Sequence, residues 1–306
     1  VVGEVTDADP AMAERALASA RAAFPAWDDL GGEGRAAVLE TAADRLEAER
    51  ARFMALTIRE AGKTVPDALA EVREAVDFLR FYAVEARTRF TQPLRLPGPV
   101  GETNDLMLGG RGVFACISPW NFPLAIFMGQ VAAALAAGNT VVAKPAPQTP
   151  LVAAAAVRLL HQAGVPAEAL HLLPGGPAVG EALAASPLVD GVAFTGSTAT
   201  ARHINRLRAA LDGPLVPLVA ETGGLNAMIV DSSALPEQVV ADCLESAFRS
   251  AGQRCSALRI AFIQRDAWGR IEPLLAGAMA ELSVGDPALI STDVGPVIDE
   301  AARQRL

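Results

Sequence analysis

The spacing of apolar and polar positions along this chain changes character once, near residue 113. Before that point apolar residues recur at helical spacing; after it, short apolar runs alternate with helical stretches. Asp9-Pro10 reads as an N-cap followed by proline at the first helical position, opening a helix through Ala13 to Phe24. A second helical pattern covers about 33–61, with Leu39, Ala43, Leu46, Phe53, Leu56 and Ile58 as its apolar points and Gly62 as its stop. A third, about 66–90, puts Val72, Val76, Leu79 and Ala83 on one face. Residues 93–112 carry three prolines, five glycines and short alternations such as Leu94-Arg95-Leu96, which predict an extended arm or hairpin.

From Val113 onward the pattern predicts strands at Val113 to Ile117, Thr140 to Ala143, Leu170 to Leu173, Val189 to Phe194 and Leu215 to Ala220. Helical stretches lie between them: Pro123 to Ala137, Leu151 to Ala163 (stopped by Gly164), Pro177 to Ala185 and Thr198 to Leu211. Short buried strands separated by helices of this length predict an α/β fold with a doubly wound parallel sheet. After Gly224 the alternation restarts with strand Ala227 to Val230, helix Pro236 to Ala251, strand Leu258 to Ile263 and helix Asp266 to Leu282. The expected organisation is therefore one domain over 1–224, with helices over 8–91 and the arm over about 93–112, and a second α/β domain from 225 to 306.

Composition narrows the class. The chain has 306 residues, 51% of them hydrophobic, with 26 basic against 35 acidic residues and a net charge of −9. That balance, with no basic run, argues against nucleic acid as a partner. Residues 112–143 carry no charge, which is long enough to span a bilayer as one helix. Pro119, Asn121, Pro123, Gly129-Gln130 and Gly138-Asn139 interrupt it, so a soluble strand–helix–strand core is expected there and no transmembrane segment. Cys116, Cys243 and Cys255 form no CxxC pair, and His161, His171 and His203 have no ligand-like spacing to them. A reducing, cytoplasmic setting and no structural metal follow.

In open parallel sheets ligands sit beyond the carboxyl ends of the strands. The residues just past the predicted strands are Ser118-Pro119-Trp120-Asn121, Lys144-Pro145, Pro174-Gly175-Gly176, Thr195-Gly196-Ser197-Thr198 and Glu221. Lys144 is either a ligand for sugar hydroxyls or phosphate, or an ordinary surface lysine. Gly196-Ser197-Thr198 opens a helix, so its free N–H groups either receive a phosphate or are served by a Ser/Thr cap. No GxGxxG occurs. Asn121 either donates its amide to an oxyanion or caps the following helix. Cys116 and Cys243 sit in apolar patterns and read as buried hydrophobes. Cys255 instead follows Gly252-Gln253-Arg254, a polar break where exposure and a nearby cation favour thiolate. A thiol that forms a thioester and a carboxylate, Glu221, that activates water suit acyl chemistry on an aldehyde.

Five ordered motifs then carry a family resemblance: Ser118-Pro119-Trp120-Asn121-Phe122-Pro123, Lys144-Pro145-Ala146, Phe194-Thr195-Gly196-Ser197-Thr198, Glu221-Thr222-Gly223-Gly224 and Gly252-Gln253-Arg254-Cys255. Together they resemble the aldehyde dehydrogenase superfamily. Arg59 to Thr64, Glu71 to Phe78 and Asn226 to Leu235 are similar to one branch of it, the L-glutamate γ-semialdehyde dehydrogenase domain of bacterial bifunctional proline utilisation proteins. The resemblance implies oxidation of L-glutamate γ-semialdehyde, the open form of Δ1-pyrroline-5-carboxylate, to glutamate in proline catabolism. Another aldehyde, or an inactive fragment, are the alternatives.

By the same resemblance Cys255 is the nucleophile, Asn121 an oxyanion donor and Glu221 the base. Ile117, Ser118, Pro119, Trp120, Lys144, Pro145, Ala146, Phe194, Thr195, Gly196, Ser197, Thr200, Thr222 and Gly223 are implied cofactor contacts, and Phe122 and Ser256 substrate contacts. The implied cofactor is NAD, with NADP open because proline stands at Pro147 where many relatives place a ribose-binding glutamate. FAD is implied only if a proline dehydrogenase domain accompanies the chain. Ala199 stands where many relatives carry a second glycine. Relatives continue beyond Leu306 through a cofactor-ribose segment, a substrate-carboxylate loop and a dimer-forming tail. The second domain is thus expected to be incomplete, the isolated chain weakly active at best, and the intact parent a homo-oligomer, cytoplasmic or peripheral at the inner membrane.

Overall fold

The computed structural model describes residues 2–304. The elements run α1 Pro10–Asp28, α2 Gly31–Ala48, α3 Arg50–Ala61, α4 Val65–Arg89, β1 Leu94–Leu96, β2 Asn104–Leu106, β3 Val113–Ile117, α5 Ala125–Ala136, β4 Thr140–Lys144, α6 Pro150–Ala163 and β5 Leu170–Leu172. They continue with α7 Pro177–Ala185, β6 Gly191–Gly196, α8 Thr198–Ala209, β7 Leu218–Thr222, β8 Asn226–Val230, α9 Pro236–Phe248, a short 3-10 turn Arg249–Gly252, β9 Leu258–Ile263, α10 Arg265–Ala280 and α11 Glu300–Arg303. Two compact units emerge: residues 1–53 with 70–221, and residues 54–69 with 222–306. Among the described residues no helix is long and apolar enough to cross a membrane.

The first unit is organised on a five-stranded sheet of order β5-β4-β3-β6-β7. β3 pairs in parallel with β4 and with β6, and β4 with β5. The chain leaves β3 to build outward through β4 and β5, then returns to the other flank of β3 at β6. That reversal makes the β3/β6 boundary the topological switch point. Side chains alternate along each strand. Val113, Ala115 and Ile117 therefore pack with Leu17 of α1, Leu183 of α7 and Ile204 of α8, while the Cys116 thiol on the opposite face meets the Gln130 carbonyl of α5 at 3.7 Å. α1 starts as the sequence predicts, with Asp9 accepting the Met12 N–H at 2.7 Å. It runs past Pro25 to Asp28, because burying Trp27 and bonding its indole to the Leu135 carbonyl at 3.1 Å favour continuing the helix.

Fully buried Arg35 ties the ends of α1 and α5 together, donating to the Ala136 and Asp28 carbonyls at 3.0 and 2.6 Å. Burial lowers its pKa, an effect opposed by the Asp28 charge. α6 stops at Gly164, whose φ of +119° a residue with a Cβ resists. The segment 93–112 is a hairpin, with Leu94 opposite Leu106 and Leu96 opposite Asn104. The continuous helical pattern read over 33–61 is two helices, broken at Glu49 (φ −92°, ψ 13°).

In the second unit β8 and β9 pair in parallel, with a register shift between Asn226 and Ala227. α9 and α10 cover them through Val230, Val239, Val240, Cys243, Ala267 and Ile271. The helical pattern that read through to Ala251 stops at Phe248. Ser250 and Ala251 then turn left-handed, at φ +54° and +55°.

Candidate active site

Parallel register brings the carboxyl ends of three strands abreast in the first unit: Ile117 of β3 lies opposite Lys144 of β4 and Phe194 of β6. Beyond them opens a pocket of about 470 Å³ whose walls include Ile117, Lys144, Gly180, Thr200, His203 and Ile204. Its volume suits one end of a dinucleotide, within the range of ligand-holding clefts. Ile204 and Leu207 from α8, with Gly180 from α7, supply an apolar slot of the kind a purine ring fills. Pro147 and Glu181 also line it, and Glu181 pairs with His203 at 3.0 Å.

Lys144 is buried rather than a surface lysine, and its ammonium donates to the Pro145 carbonyl at 3.1 Å. Burial lowers its pKa, countered in part by Asp7. Pro145 and Ala146 are buried behind it, and Pro147 is exposed. At the start of α8 Ser197 is the N-cap: its hydroxyl accepts the Thr200 N–H at 3.1 Å and lies 2.8 Å from the Thr200 hydroxyl. The cap reading thus holds for Ser197, while Thr200 also lines the pocket.

Gln130, which none of the sequence motifs marks as a site residue, links the two strands at the switch point. Its side-chain carbonyl accepts the Ser118 hydroxyl at 2.7 Å, and its amide donates to the Thr195 hydroxyl at 2.9 Å. The signal was present: one amide in an otherwise apolar helical run. Past Ser118, the segment Pro119, Trp120, Asn121 and Phe122 forms a half-buried turn before α5. The N-cap of α5 is Leu124, and Glu71 Oε1 accepts the N–H groups of Leu124 and Ala125 at 2.8 and 3.3 Å. Gly196 closes β6, and exposed Glu221 lies on β7 at the edge of the sheet.

In the second unit lie Thr222, Gly223, Cys255 and Ser256. Cys116 and Cys243 are buried and Cys255 is exposed, as is Ser256. The Cys255 carbonyl accepts from Asn226 Nδ2 at 2.7 Å, and the same amide donates to the Ala257 carbonyl at 3.0 Å. Just before the thiol, Arg254 does not point a free charge at it: the guanidinium donates to Asp67 at 2.7 Å. Among the described residues no group of His, Cys, Asp and Glu could hold a metal ion. An exposed thiol on a backbone-clamped turn, an exposed carboxylate at a strand end and a nucleotide-sized pocket at a switch point are the parts that nucleophilic oxidation of a carbonyl needs.

The profile of the aldehyde dehydrogenase family matches residues 1–306. The chain is 51% identical to the bifunctional protein PutA of Klebsiella aerogenes, covering 100% of this chain and 23% of that protein. It is 38% identical to the 1-pyrroline-5-carboxylate dehydrogenase of Geobacillus thermodenitrificans, covering 100% of this chain and 60% of that one. A solved variant of Bradyrhizobium japonicum proline utilization A superposes with a TM-score of 0.96 at 58% identity, over 98% of this chain and 31% of that chain. The chain thus spans less than two thirds of the length of each of these relatives.

Proposed function

This chain belongs to the aldehyde dehydrogenase family, and from that premise we propose that the protein carrying it oxidises L-glutamate γ-semialdehyde to glutamate with NAD. The observation that carries the reading is Cys255, exposed on a clamped turn while Cys116 and Cys243 are buried. The names borne by the relatives, PutA and 1-pyrroline-5-carboxylate dehydrogenase, point to the substrate.

In this reading the Cys255 thiolate attacks the aldehyde carbon, and the Asn121 amide with the Cys255 N–H stabilises the oxyanion. NAD, when bound, supplies the two-electron acceptor for the departing hydride. Loss of that hydride leaves a thioester on Cys255. Glu221 takes a proton from water as it attacks the thioester, and the acid departs with the thiol restored. Ser256 holds the substrate carboxylate and Phe122 packs on its aliphatic stem.

The pocket residues fit the cofactor by their chemistry. Lys144 offers a donor to ribose hydroxyls, and at the α8 N-terminus, marked by Gly196, Ser197 and Thr200, the Ser197 cap serves the Thr200 N–H and leaves the N–H groups of Thr198 and Ala199 to favour a phosphate. Ser118, Thr195 and Gln130 brace the ends of β3 and β6, whereas Pro119, Trp120, Pro145, Ala146, Phe194, Thr222 and Gly223 do not line this pocket and enter the reading through the family resemblance alone. Glu181 on the pocket wall opposes the extra phosphate of NADP, so NAD is the favoured form.

The experiment is NADH formation by the full protein on L-glutamate γ-semialdehyde and on a plain aliphatic aldehyde. The reading expects turnover that disappears in Cys255→Ala and a higher kcat/KM for the semialdehyde. Equal kcat/KM for the two aldehydes would reassign the substrate. Turnover surviving in Cys255→Ala would sink the mechanism.

A further inference from the structure

The turn that precedes Cys255 is held by a residue from a distant part of the sequence. After α9 ends, Ser250 (φ +54°, ψ 32°) and Ala251 (φ +55°, ψ 34°) are followed by Gly252 at φ +68°. Three successive left-handed residues, two of them bearing a Cβ, are an unfavourable local arrangement for L-amino acids. Such a conformation persists where the surroundings over-determine it, and it clusters at functional segments. At Gly252 an added Cβ would meet the Ala247 carbonyl at 3.0 Å.

The over-determination centres on Asp67, at the start of α4, whose side chain is 1% exposed. Its Oδ2 accepts the Ser250 N–H at 3.0 Å and the Ser250 hydroxyl at 3.3 Å. Its Oδ1 accepts from Arg249 Nε at 2.9 Å and Arg254 Nη2 at 2.7 Å. Lys63 adds its ammonium to the Ser250 hydroxyl at 3.1 Å. One buried carboxylate therefore grips residues on both sides of the left-handed turn, 249 and 254, and its first residue, 250. Arg259 then donates to the Gly252 and Arg254 carbonyls at 2.9 and 3.3 Å. With Asn226 on the Cys255 carbonyl, the backbone is pinned before and after a side chain that is left open.

We propose that Asp67 is a positioning residue for Cys255: its carboxylate imposes the left-handed turn and anchors Arg254, and so fixes the direction in which the thiol leaves the backbone. The inference rests on the reading of Cys255 as the nucleophile. It also assigns Arg254 a role other than activating the thiol, because the guanidinium is held by Asp67 and the Ser250 hydroxyl. Charge-assisted bonds of this kind are short and directional, which suits a geometric task.

The test is Asp67→Asn in the full protein, a change that keeps shape and one acceptor but removes the charge. The proposal expects kcat for NADH formation to fall about tenfold or more, the size of a misplaced reacting group, with KM for NAD within about twofold of wild type. It also expects the pH profile of Cys255 alkylation by iodoacetamide to move to lower pH, since Arg249 and Arg254 lose their counter-charge in the segment bearing the thiol. A folded variant with wild-type kcat and a wild-type alkylation profile overturns the proposal, whatever its Tm. If Asp67→Asn does not fold, Arg254→Met takes its place. It removes the guanidinium through which Asp67 anchors the residue before Cys255 and keeps a long side chain, so its kcat must fall severalfold; wild-type turnover there overturns the proposal equally. Cys255→Ala keeps the two questions apart. Turnover that survives it removes the nucleophile reading, whereas the alkylation profile reports on Asp67 without any turnover.

Discussion

Gln130 Nε2 donates to the Thr195 hydroxyl at 2.9 Å, joining the helix that follows β3 to the end of β6. With the Ser118 hydroxyl on its carbonyl oxygen at 2.7 Å, this one amide braces both strands that flank the switch point. Gln130→Leu keeps the bulk and strands two hydroxyls, so it should cost about 1–3 kcal/mol of stability. KM for NAD should rise severalfold while kcat changes little. A thermal melt and initial-rate kinetics check this; an unchanged KM would detach Gln130 from the cofactor site.

Glu181 shares the pocket wall with Lys144 and Thr200 and pairs with His203 at 3.0 Å. Glu181→Gln removes a negative charge and leaves the imidazole available to a phosphate. In the proposed NAD reading, the ratio of kcat/KM for NAD to that for NADP should fall by about tenfold, or ~1.4 kcal/mol. The comparison of kcat/KM for the two cofactors measures it, and an unchanged ratio would mean that Glu181 does not face the ribose.

The three cysteines should separate cleanly in a labelling experiment. Burial pushes the Cys116 thiol up to about 12, and burial with the Asp242 charge raises Cys243 as well. Iodoacetamide on the native protein near neutral pH should mark Cys255 alone, with Cys116 and Cys243 reacting only after denaturation. Peptide mass spectrometry reads the outcome directly.

Asp67 provides a pH prediction. Burial would raise its pKa, but the charges of Arg254, Arg249 and Lys63 and the Ser250 N–H outweigh it and hold the carboxyl below its ordinary 3.8. A folded value below the unfolded one means the stabilisation is complete above the unfolded value and is lost as pH falls through the folded one. Hydrogen exchange at residues 249–254, corrected for intrinsic rates, should show steady protection down to pH ~4 and loss below it, the range where an aspartate titrates. Asp67→Asn should lack that acid step.

The sequence alone disclosed most of the α/β alternation, because strand and helix periods differ and because local stops announce themselves. Pro177 to Ala185 and Leu258 to Ile263 emerge with the predicted bounds, and Gly62 and Gly164 stop helices as read. What stayed hidden depends on groups far away in sequence. α9 ends three residues before its apolar pattern suggests, since Asp67 accepts the amide at Ser250. Glu71 serves the start of α5 across 53 positions of chain, and no local pattern at Leu124 advertises it. α1 outlasts Pro25 because Trp27 has a core to enter. Of the candidate site residues, Ile117, Lys144 and Thr200 share one pocket, which register at the switch point explains. Lys144 shows the limit of the residue-level reading: whether a lysine is buried is decided by the layers above and below its strand.

Asp67 and Arg249 are 182 positions apart in the chain. On a ribosome adding roughly 5–20 residues per second, the carboxylate waits on the order of 10–40 s for its arginines to be made. Residues 54–69 and 222–306 form one compact unit, so the first of these segments emerges long before its companion. During that interval the Asp67 carboxylate lacks Arg249, Ser250 and Arg254, and the sheet unit through β7 has time to form first. The order of synthesis therefore keeps the turn that bears Cys255 from acquiring its shape until Arg249 and Arg254 have been made.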